Sequence, residues 1–409
     1  MISEFEQKFK DAGFRKPTAI QKAVAQPLAD GKNVIGLAPT GSGKTLAYAW
    51  PLMEKIIPQN GTQLVVLAPS QELAMQITDV IRDWCKLVDL RVTPIIGGAN
   101  VKRQMEKLKK HPEIVVGTPG RVLNLIHKRK LKMHKVQTIV IDEADRLLDE
   151  EKLPLCREIV SHALADVQLA FFSATDGPIL HHIHQWFGVE PQICDVREKD
   201  DSHGHVDHYL IEVPTRKRAD ALRRLAHVKG MQALVFFNQT ASLMEISAKL
   251  EHDHVKAVAL SGEEGKEKRA RALKLFRQGK AVFLLTTDIA ARGLDIPGLK
   301  AVINYDLPRD LTTYIHRTGR TGRMGASGEV INLGNEHDLR EFKQLMRAEG
   351  VPAQKGYLFK NQIVTEKPKY KHFNKKSHPA KKGNVKQGKK KHKKKRLRRQ
   401  KNKGKRKKG

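Results

Sequence analysis

Residues 33–56 read NVIGLAPTGSGKTLAYAWPLMEKI: an apolar run (Asn33–Leu37), a glycine-rich turn (Ala38–Thr45) and a helix-forming stretch (Leu46–Ile56) in unbroken succession. Strand, glycine turn and helix N-terminus in that order make a phosphate-binding loop. Glycines let backbone N–H groups turn inward around phosphate oxygens, and the helix N-terminus adds favourable partial charge. Ala38, Pro39, Thr40, Gly41, Ser42, Gly43, Lys44 and Thr45 are then the nucleotide-binding turn. Lys44 is expected to reach the β- and γ-phosphates, and Thr45 to hold Mg2+. Ala38 stands where such loops usually begin with glycine, a position that ordinary φ/ψ can fill. The bland alternative, a flexible Gly/Ser turn that happens to precede a helix, does not account for the complete GSGKT in this setting.

Similar apolar runs recur outward from this loop, at Gln63–Ala68, Glu113–Val116, Gln137–Ile141 and Gln168–Phe172. Helix-like stretches lie between them, at Gln71–Leu87, Val101–Lys110 and Arg121–Lys128. Strands alternating with helices imply an α/β fold with a parallel sheet covered on both faces, and continuous apolar runs suit strands buried on both sides. The second half repeats the logic. Ala233–Phe237, Lys256–Leu260, Ala281–Thr286, Lys300–Asn304 and Gly328–Leu333 read as strands, with helices at Ser242–Glu251 and Lys266–Gln278. The polar stretch Arg197–His208 reads as a linker, which predicts domains at 1–202 and 203–359.

After about Lys360 the pattern stops. Residues 360–409 hold 24 Lys or Arg and one Glu, so +23 of the formal +32 lies there and only +9 in residues 1–359. Such a segment cannot bury enough apolar surface to offset its ordering entropy and is expected to be a disordered tail. The overall excess of charge points to a polyanionic partner, nucleic acid first and an acidic membrane surface second. Three scattered cysteines (Cys85, Cys156, Cys194) without a CxxC pair support neither a zinc ribbon nor a disulfide framework and fit a reducing cytosol. The first residues lack the pattern of a signal peptide, and no apolar run approaches the ~20 residues of a membrane span, so a soluble cytoplasmic protein without membrane contact is expected.

The run ending at Ile141 leads into Asp142-Glu143-Ala144-Asp145. A carboxylate at the tip of a strand beside the phosphate strand is placed to hold the metal through water, which selects Asp142. Glu143 next to it can polarise the attacking water as general base. Alone, an acidic tetrapeptide is more often a solvated helix start; the upstream phosphate loop reverses that reading.

The sequence APTGSGKT, Gly97-Gly98, TPGR (Thr118–Arg121), DEAD, SAT (Ser173–Thr175), ARGLD (Ala291–Asp295) and HRTGRTGR (His316–Arg323) resembles, in this order, DEAD-box RNA helicases of superfamily 2, and the compact core with a basic tail resembles their bacterial members. The resemblance covers residues 1 to about 355. It implies two tandem RecA-like domains with ATP and RNA in the cleft between them. It makes the segment Gly13–Gln21 an adenine-reading motif, with Gln21 on the adenine edge and Phe14 stacked near the base. An amide offers the donor–acceptor pair that adenine N6 and N7 match. The plainer reading of PTAIQ is a helix start with Gln21 on its surface.

From the second half the resemblance supplies Arg323 as arginine finger and Arg320 as a grip on the same phosphate, two cations for a loose phosphoryl-transfer transition state. Asp295 becomes the ribose contact. Ser173 and Thr175 become couplers of the ATP site to strand separation, through hydrogen bonds to Asp145 and toward His316. RNA contact falls to Pro69 and its neighbours, Gly98, Thr118, Arg121, Phe237, Asn238, Thr287, Arg292 and Gly293. Glycine N–H groups, hydroxyls and arginine suit phosphates and 2′-OH groups, so binding should be sequence-independent and salt-sensitive.

Three departures predict weaker adenine or RNA binding. Gln71 stands where the family has arginine, Lys266 stands where it has glutamine ahead of Arg269, and the chain begins only 12 residues before Gly13, without room for an upstream aromatic. The tail, poor in aromatics, reads as an electrostatic RNA tether rather than a membrane patch or a solubilising extension. His181-His182-Ile183-His184 reads as a solvated helix face, not a metal site. Ribosomal RNA or pre-ribosomal particles are the partners that bacterial family members suggest. The expected protein is a monomeric, Mg2+-dependent, RNA-stimulated ATPase. Its rivals are a DNA-directed enzyme and an RNA-binding scaffold that clamps without unwinding.

Overall fold

The computed structural model describes residues 3–12, 14, 16–200, 204–261, 266–291, 294, 296, 298–348 and 350–368. Among the sequence-based assignments, Arg292, Gly293 and Asp295 lie outside the described residues, as do Gly13, Arg15, part of the proposed linker and positions 369–409 of the tail.

Two sheets organise the chain. The first comprises β1 (Val34–Leu37), β2 (Leu64–Leu67), β3 (Val92–Ile95), β4 (Ile114–Gly117), β5 (Thr138–Asp142), β6 (Gln168–Ser173) and β7 (Gln192–Asp195). All its strands run parallel, in the order β3-β4-β2-β5-β6-β1-β7. The second comprises β8 (Val206–Glu212), β9 (Ala233–Phe237), β10 (Ala257–Leu260), β11 (Phe283–Thr287), β12 (Ala301–Asn304), β13 (Gly328–Gly334), β14 (Gln354–Phe359) and β15 (Gln362–Val364). Its order is β10-β11-β9-β12-β13-β8-β14-β15, parallel except for the last pair. Both sheets are RecA-like.

The apolar runs of β1, β2, β4 and β5 are buried along their whole length because helices cover both faces. Successive side chains of a strand enter opposite cores: Val34 and Ala38 join one, Ile35 and Leu37 the other. That period of two fixes which way the C-terminal ends of the strands, and hence the loops beyond them, present their side chains.

Several elements escaped the pattern. β3 and β7 are the edge strands of the first sheet and are only half covered, so neither carries a continuous apolar run. β8 begins at Val206, inside the segment Arg197–His208 that reads as linker; its polar residues face a half-covered surface while Leu210 and Ile211 are buried. The regular structure also continues past Lys360, where Gln362–Val364 pairs antiparallel with β14, so the chain remains ordered beyond the expected start of the tail. Among the described residues no helix is long and apolar enough to cross a membrane.

His208 of β8 links this second sheet to the helix Leu311–Thr318, its Nδ1 lying 2.5 Å from the Tyr314 hydroxyl. Burial pulls the His208 pKa down to about 4, against the opposing charge of Asp207. An unfolded histidine takes up its proton near 6.5, so stability from this group is present above that pH and is lost as pH falls toward 4. Between pH 6.5 and 5 the loss should be about 2 kcal/mol. Denaturation of wild type and His208→Gln at pH 7 and pH 5 checks this: the variant should lose less stability on acidification. Equal losses would place the acid sensitivity elsewhere.

Candidate functional site

The turn after β1 delivers Gly43 to the N-terminus of the helix Lys44–Met53 with φ 84° and ψ 27°, a left-handed conformation that glycine adopts without strain. A second constraint acts at the same position, because a Cβ there would stand 2.7 Å from Gln21 Nε2. Gln21 reaches it from the helix Ala19–Ala29, where it completes a capping box: Thr18 N–H donates to Gln21 Oε1 at 2.9 Å. Its amide nitrogen donates to Gly43 O at 3.4 Å. Gln21 is therefore at a helix start, as the plainer reading has it, yet buried against the phosphate loop rather than on the surface. Phe14 packs on Phe9 with ring centroids 5.1 Å apart.

Lys44 Nζ donates to the carbonyls of Ala38 (2.6 Å) and Pro39 (2.9 Å), folding over the loop. Burial lowers its pKa, while Asp142, Asp145 and Glu143 act in the opposite direction. The Ser42 hydroxyl is buried without a hydrogen-bond partner among the described residues. A loop with an unmatched hydroxyl and a folded-back cation has donors to offer an anion.

The acidic tetrapeptide leaves the same edge of the sheet from β5. The strand order corrects one expectation: β5 is not beside β1, because β6 lies between them. β6 also anchors the loop, with Ala38 N–H donating to Ser173 O at 3.1 Å. Asp142 is buried, and its Oδ2 accepts from the Tyr48 hydroxyl at 3.0 Å. Burial pushes its pKa up to about 6, although the Lys44 charge opposes the shift. Glu143 takes φ 50° and ψ 53°, a left-handed backbone that costs a non-glycine residue about 1 kcal/mol or more. This turn separates the directions of the two adjacent carboxylates.

Asp145 is the junction of the two halves. Its Oδ2 accepts from the Thr175 hydroxyl and lies 3.0 Å from His316 Nε2, which comes from the second sheet. Burial opposes its charge, but the hydrogen bonds from His316 and Thr175 outweigh that effect and hold the carboxyl below its ordinary value. Ser173 does not join this junction as expected; its hydroxyl donates to Thr175 O at 2.6 Å and shapes the turn instead.

A second contact joins Thr40 to Gly319, with Thr40 Oγ1 donating to Gly319 O at 3.2 Å. Gly319 must be glycine here, since a Cβ would stand 1.7 Å from Thr40 Oγ1. Arg323 Nε also donates to Gly319 O, at 2.8 Å, and its aliphatic stem passes over Gly41. Its charge acts on Lys44. Arg320 instead directs Nη1 to Leu294 O at 2.7 Å.

Sequence reasoning missed two residues. Arg317, 1% exposed, donates to Asp288 (2.7 and 2.6 Å), Asn304 (3.0 Å), Asp306 O (2.7 Å) and Asn238 (2.8 Å), so one guanidinium holds the loops after β9, β11 and β12. It sits inside the quoted HRTGRTGR, but nothing in the string separates a buried arginine from an exposed one. Tyr48 was missed because its hydroxyl sits in a mostly apolar stretch of helix that reads as core.

The remaining assignments divide. Pro69, Gly98 and Thr118 follow β2, β3 and β4, three neighbouring strands, and so share one edge. Gln71 lies against Gly97 and Gly98, its amide 3.1 and 3.2 Å from where Cβ atoms would stand. Arg121 Nη1 donates to Ala99 O at 3.1 Å. Phe237 is a correction: it is fully buried and stacked on Tyr305 at 4.7 Å, so its ring supports the core rather than a ligand. Asn238 is engaged with Asp306, Leu307 and Arg317, and Thr287 is buried with Oγ1 accepting from Ala290 N–H at 3.4 Å. Glu72 and Arg269 approach to 3.7 Å across the two halves. His181 and His184 each face a carboxylate, Asp176 and Glu190 respectively.

Two family descriptions match the chain: DEAD/DEAH box helicase over residues 18–179 and helicase conserved C-terminal domain over residues 217–325. The probable ATP-dependent RNA helicase YfmL of Bacillus subtilis is 44% identical over 350 residues, 85% of this chain and 93% of that protein. The DEAD-box ATP-dependent RNA helicase CshC of Bacillus cereus is 41% identical over 378 residues, 92% and 97% of the two chains. Among solved structures, S. cerevisiae Dbp5 bound to RNA and ADP BeF3 superposes with a TM-score of 0.77 at 26% identity, covering 87% of this chain and 93% of that one. A DEAD box protein from Methanococcus jannaschii, at 31% identity and covering 87% and 97%, reaches 0.51.

Proposed function

Because this chain belongs to the DEAD-box family of ATP-dependent RNA helicases, we propose that its two sheets close on ATP with Lys44, Glu143 and Arg323 around the γ-phosphate. The enzyme is an RNA-stimulated ATPase that binds and unwinds RNA. The observation that carries the residue assignment is Asp145, shared between Thr175 of its own half and His316 of the other. A site completed only by contacts across the cleft ties hydrolysis to closure. The better superposition on the relative solved with RNA and ADP BeF3, despite its lower identity, supports a closed arrangement of the halves.

The phosphate loop cradles the phosphates and Lys44 leaves its carbonyls to reach them. Gln21 reads the adenine edge next to Phe14, and Asp295 takes the ribose. Glu143 accepts the proton of the attacking water, and Arg323 meets the charge that develops on the transferred group. Thr45 and Asp142 are hard oxygen donors that fit Mg2+, and a buried carboxylate with a phenol for its hydrogen-bond donor gains from a nearby cation. Bound Mg2+ would neutralise charge on the β- and γ-phosphate oxygens. On the adjoining edge, backbone at Gly98, Thr118 and Asn238, with Pro69, Arg121, Thr287, Arg292 and Gly293, grips the RNA backbone without reading bases.

The halves are divided near residue 203, and the basic segment beyond the last strand tethers RNA electrostatically. A cytoplasmic monomer acting on ribosomal RNA or pre-ribosomal particles is the setting we favour. Two measurements test the reading. ATPase activity should rise with RNA and far less with DNA of the same sequence; equal stimulation would favour the DNA-directed rival. Release of a short RNA duplex should require ATP, and a clamp that binds without releasing strands would favour the scaffold.

A further inference from the structure

The +9 of residues 1–359 is not spread over them: residues 101–135 hold eleven Lys or Arg and two Glu, and so carry the whole of it. This segment runs from the helix Val101–Leu108 through β4 and the helix Pro119–His127 to the approach to β5. Two loops in it are strongly basic, one with Lys109 and Lys110, the other with Lys128, Arg129, Lys130 and Lys132. All six side chains are exposed.

Topology brings the loops together. The first leads into Ile114 of β4 and the second into Thr138 of β5, and both residues pair with Leu64 of β2 between them. The loops therefore end two strand spacings apart, about 10 Å, at one edge of the sheet. That is the N-terminal edge of the strands, opposite the C-terminal edge that carries the phosphate loop, the acidic tetrapeptide and Gly97-Gly98. The two helices leading to these loops, Val101–Leu108 and Pro119–His127, pack their Leu108 and Val122 into the same core and so lie on one face of the sheet. The first of them starts just beyond Gly97-Gly98 and exposes Lys102, Arg103 and Lys107 along about 12 Å. Positive charge thus extends from the edge of the cleft, down one face, to the far edge. Glu106 lies in this path and pairs with Lys109; Glu113 is buried under Arg91 and contributes no exposed negative charge.

We infer that this face is a second RNA-binding surface, which holds the phosphate backbone of a helical segment flanking the strand in the cleft. Exposed Lys and Arg in a segment that holds no Phe, Tyr or Trp suit backbone contact with a duplex better than base stacking on a single strand. The surface keeps the enzyme on structured RNA after the clamp reopens. The inference rests on the proposed RNA clamp, and the two can be separated by experiment.

In the full chain, Lys128→Gln, Arg129→Gln, Lys130→Gln and Lys132→Gln are combined. A charge-matched control neutralises Lys229, Lys249, Lys274 and Lys280 of the second half. Binding is measured as a function of salt for a single strand of about 6 nucleotides with a nonhydrolysable ATP analogue, and for the same strand joined to a duplex of about 16 base pairs. If two of the four side chains meet phosphates, the duplex-bearing RNA should bind about 100-fold more weakly at 0.1 M salt, with the salt slope reduced by about 2. The short strand should bind as to wild type, and the control should lose little on either RNA. Equal losses in variant and control, or an unchanged duplex affinity, would overturn the second surface. Failure of wild type to hold the short strand with nucleotide would instead overturn the clamp.

Discussion

Glu143→Gln is expected to lower RNA-stimulated ATP hydrolysis about 10²–10⁴-fold while leaving ATP-dependent RNA binding in place. The substitution keeps shape and hydrogen bonding and removes the basic lone pair, so it isolates the proton-accepting role. The structure favours a clean result. The Glu143 carboxylate has a loose ion pair with Arg146, at 3.7 Å, and the backbone N–H of Glu143, not its side chain, donates to Asp142 at 2.9 Å. Losing the charge should therefore leave Asp142 where it is. Its left-handed backbone is unaffected by an isosteric change as well. Single-turnover hydrolysis and RNA binding with ATP, measured on one preparation, check both halves of the claim. Equal hydrolysis by wild type and variant would remove Glu143 from the general-base role.

The fold was legible where burial was complete and illegible where it was partial. β1, β2, β4, β5 and β6 are covered on both faces and announce themselves as apolar runs. β3, β7 and β8 lie at or near sheet edges, where exposed positions take polar residues and the run disappears. The same limit applies to the site. Backbone-driven features such as the loop at Ala38–Thr45 can be read from glycine spacing and a following helix. Which arginine of HRTGRTGR turns inward cannot, because Arg317, Arg320 and Arg323 share one local composition and differ only in what the fold sets opposite them. Ser173 and Phe237 show the same failure in reverse: the string places them in motifs, but the packing gives them to a turn and a core. Charge offered a third case. Its total suggested nucleic acid, its position along the chain assigned most of it to the tail, and only the strand register showed that two basic loops of residues 101–135 end near each other at one edge.

The three arginines also set the second large prediction. Arg323→Ala is expected to lower hydrolysis about 10³-fold or more, with ATP affinity changed little. In the proposed assignment the adenine and phosphate contacts come mainly from the first half, where Lys44 and Gln21 are held to the phosphate loop without help from Arg323. What Arg323 adds is charge at the open side of that loop. Its stem lies over Gly41 and its Nε is fixed by Gly319 O, the same oxygen that receives Thr40. Closure and placement of the guanidinium are thus one event, and a residue positioned only after closure contributes to the transition state more than to ground-state binding. Arg323→Lys should not restore the rate, because an ammonium lacks the planar fork that can hold a backbone carbonyl and a phosphate oxygen together. Arg320→Ala should cost less, since its guanidinium is committed in part to Leu294 O and braces the loop from within its own half. Hydrolysis rates and nucleotide affinities of the three variants, measured with saturating RNA, decide the matter. Near wild-type turnover in Arg323→Ala together with an inactive Arg320→Ala would exchange the two roles.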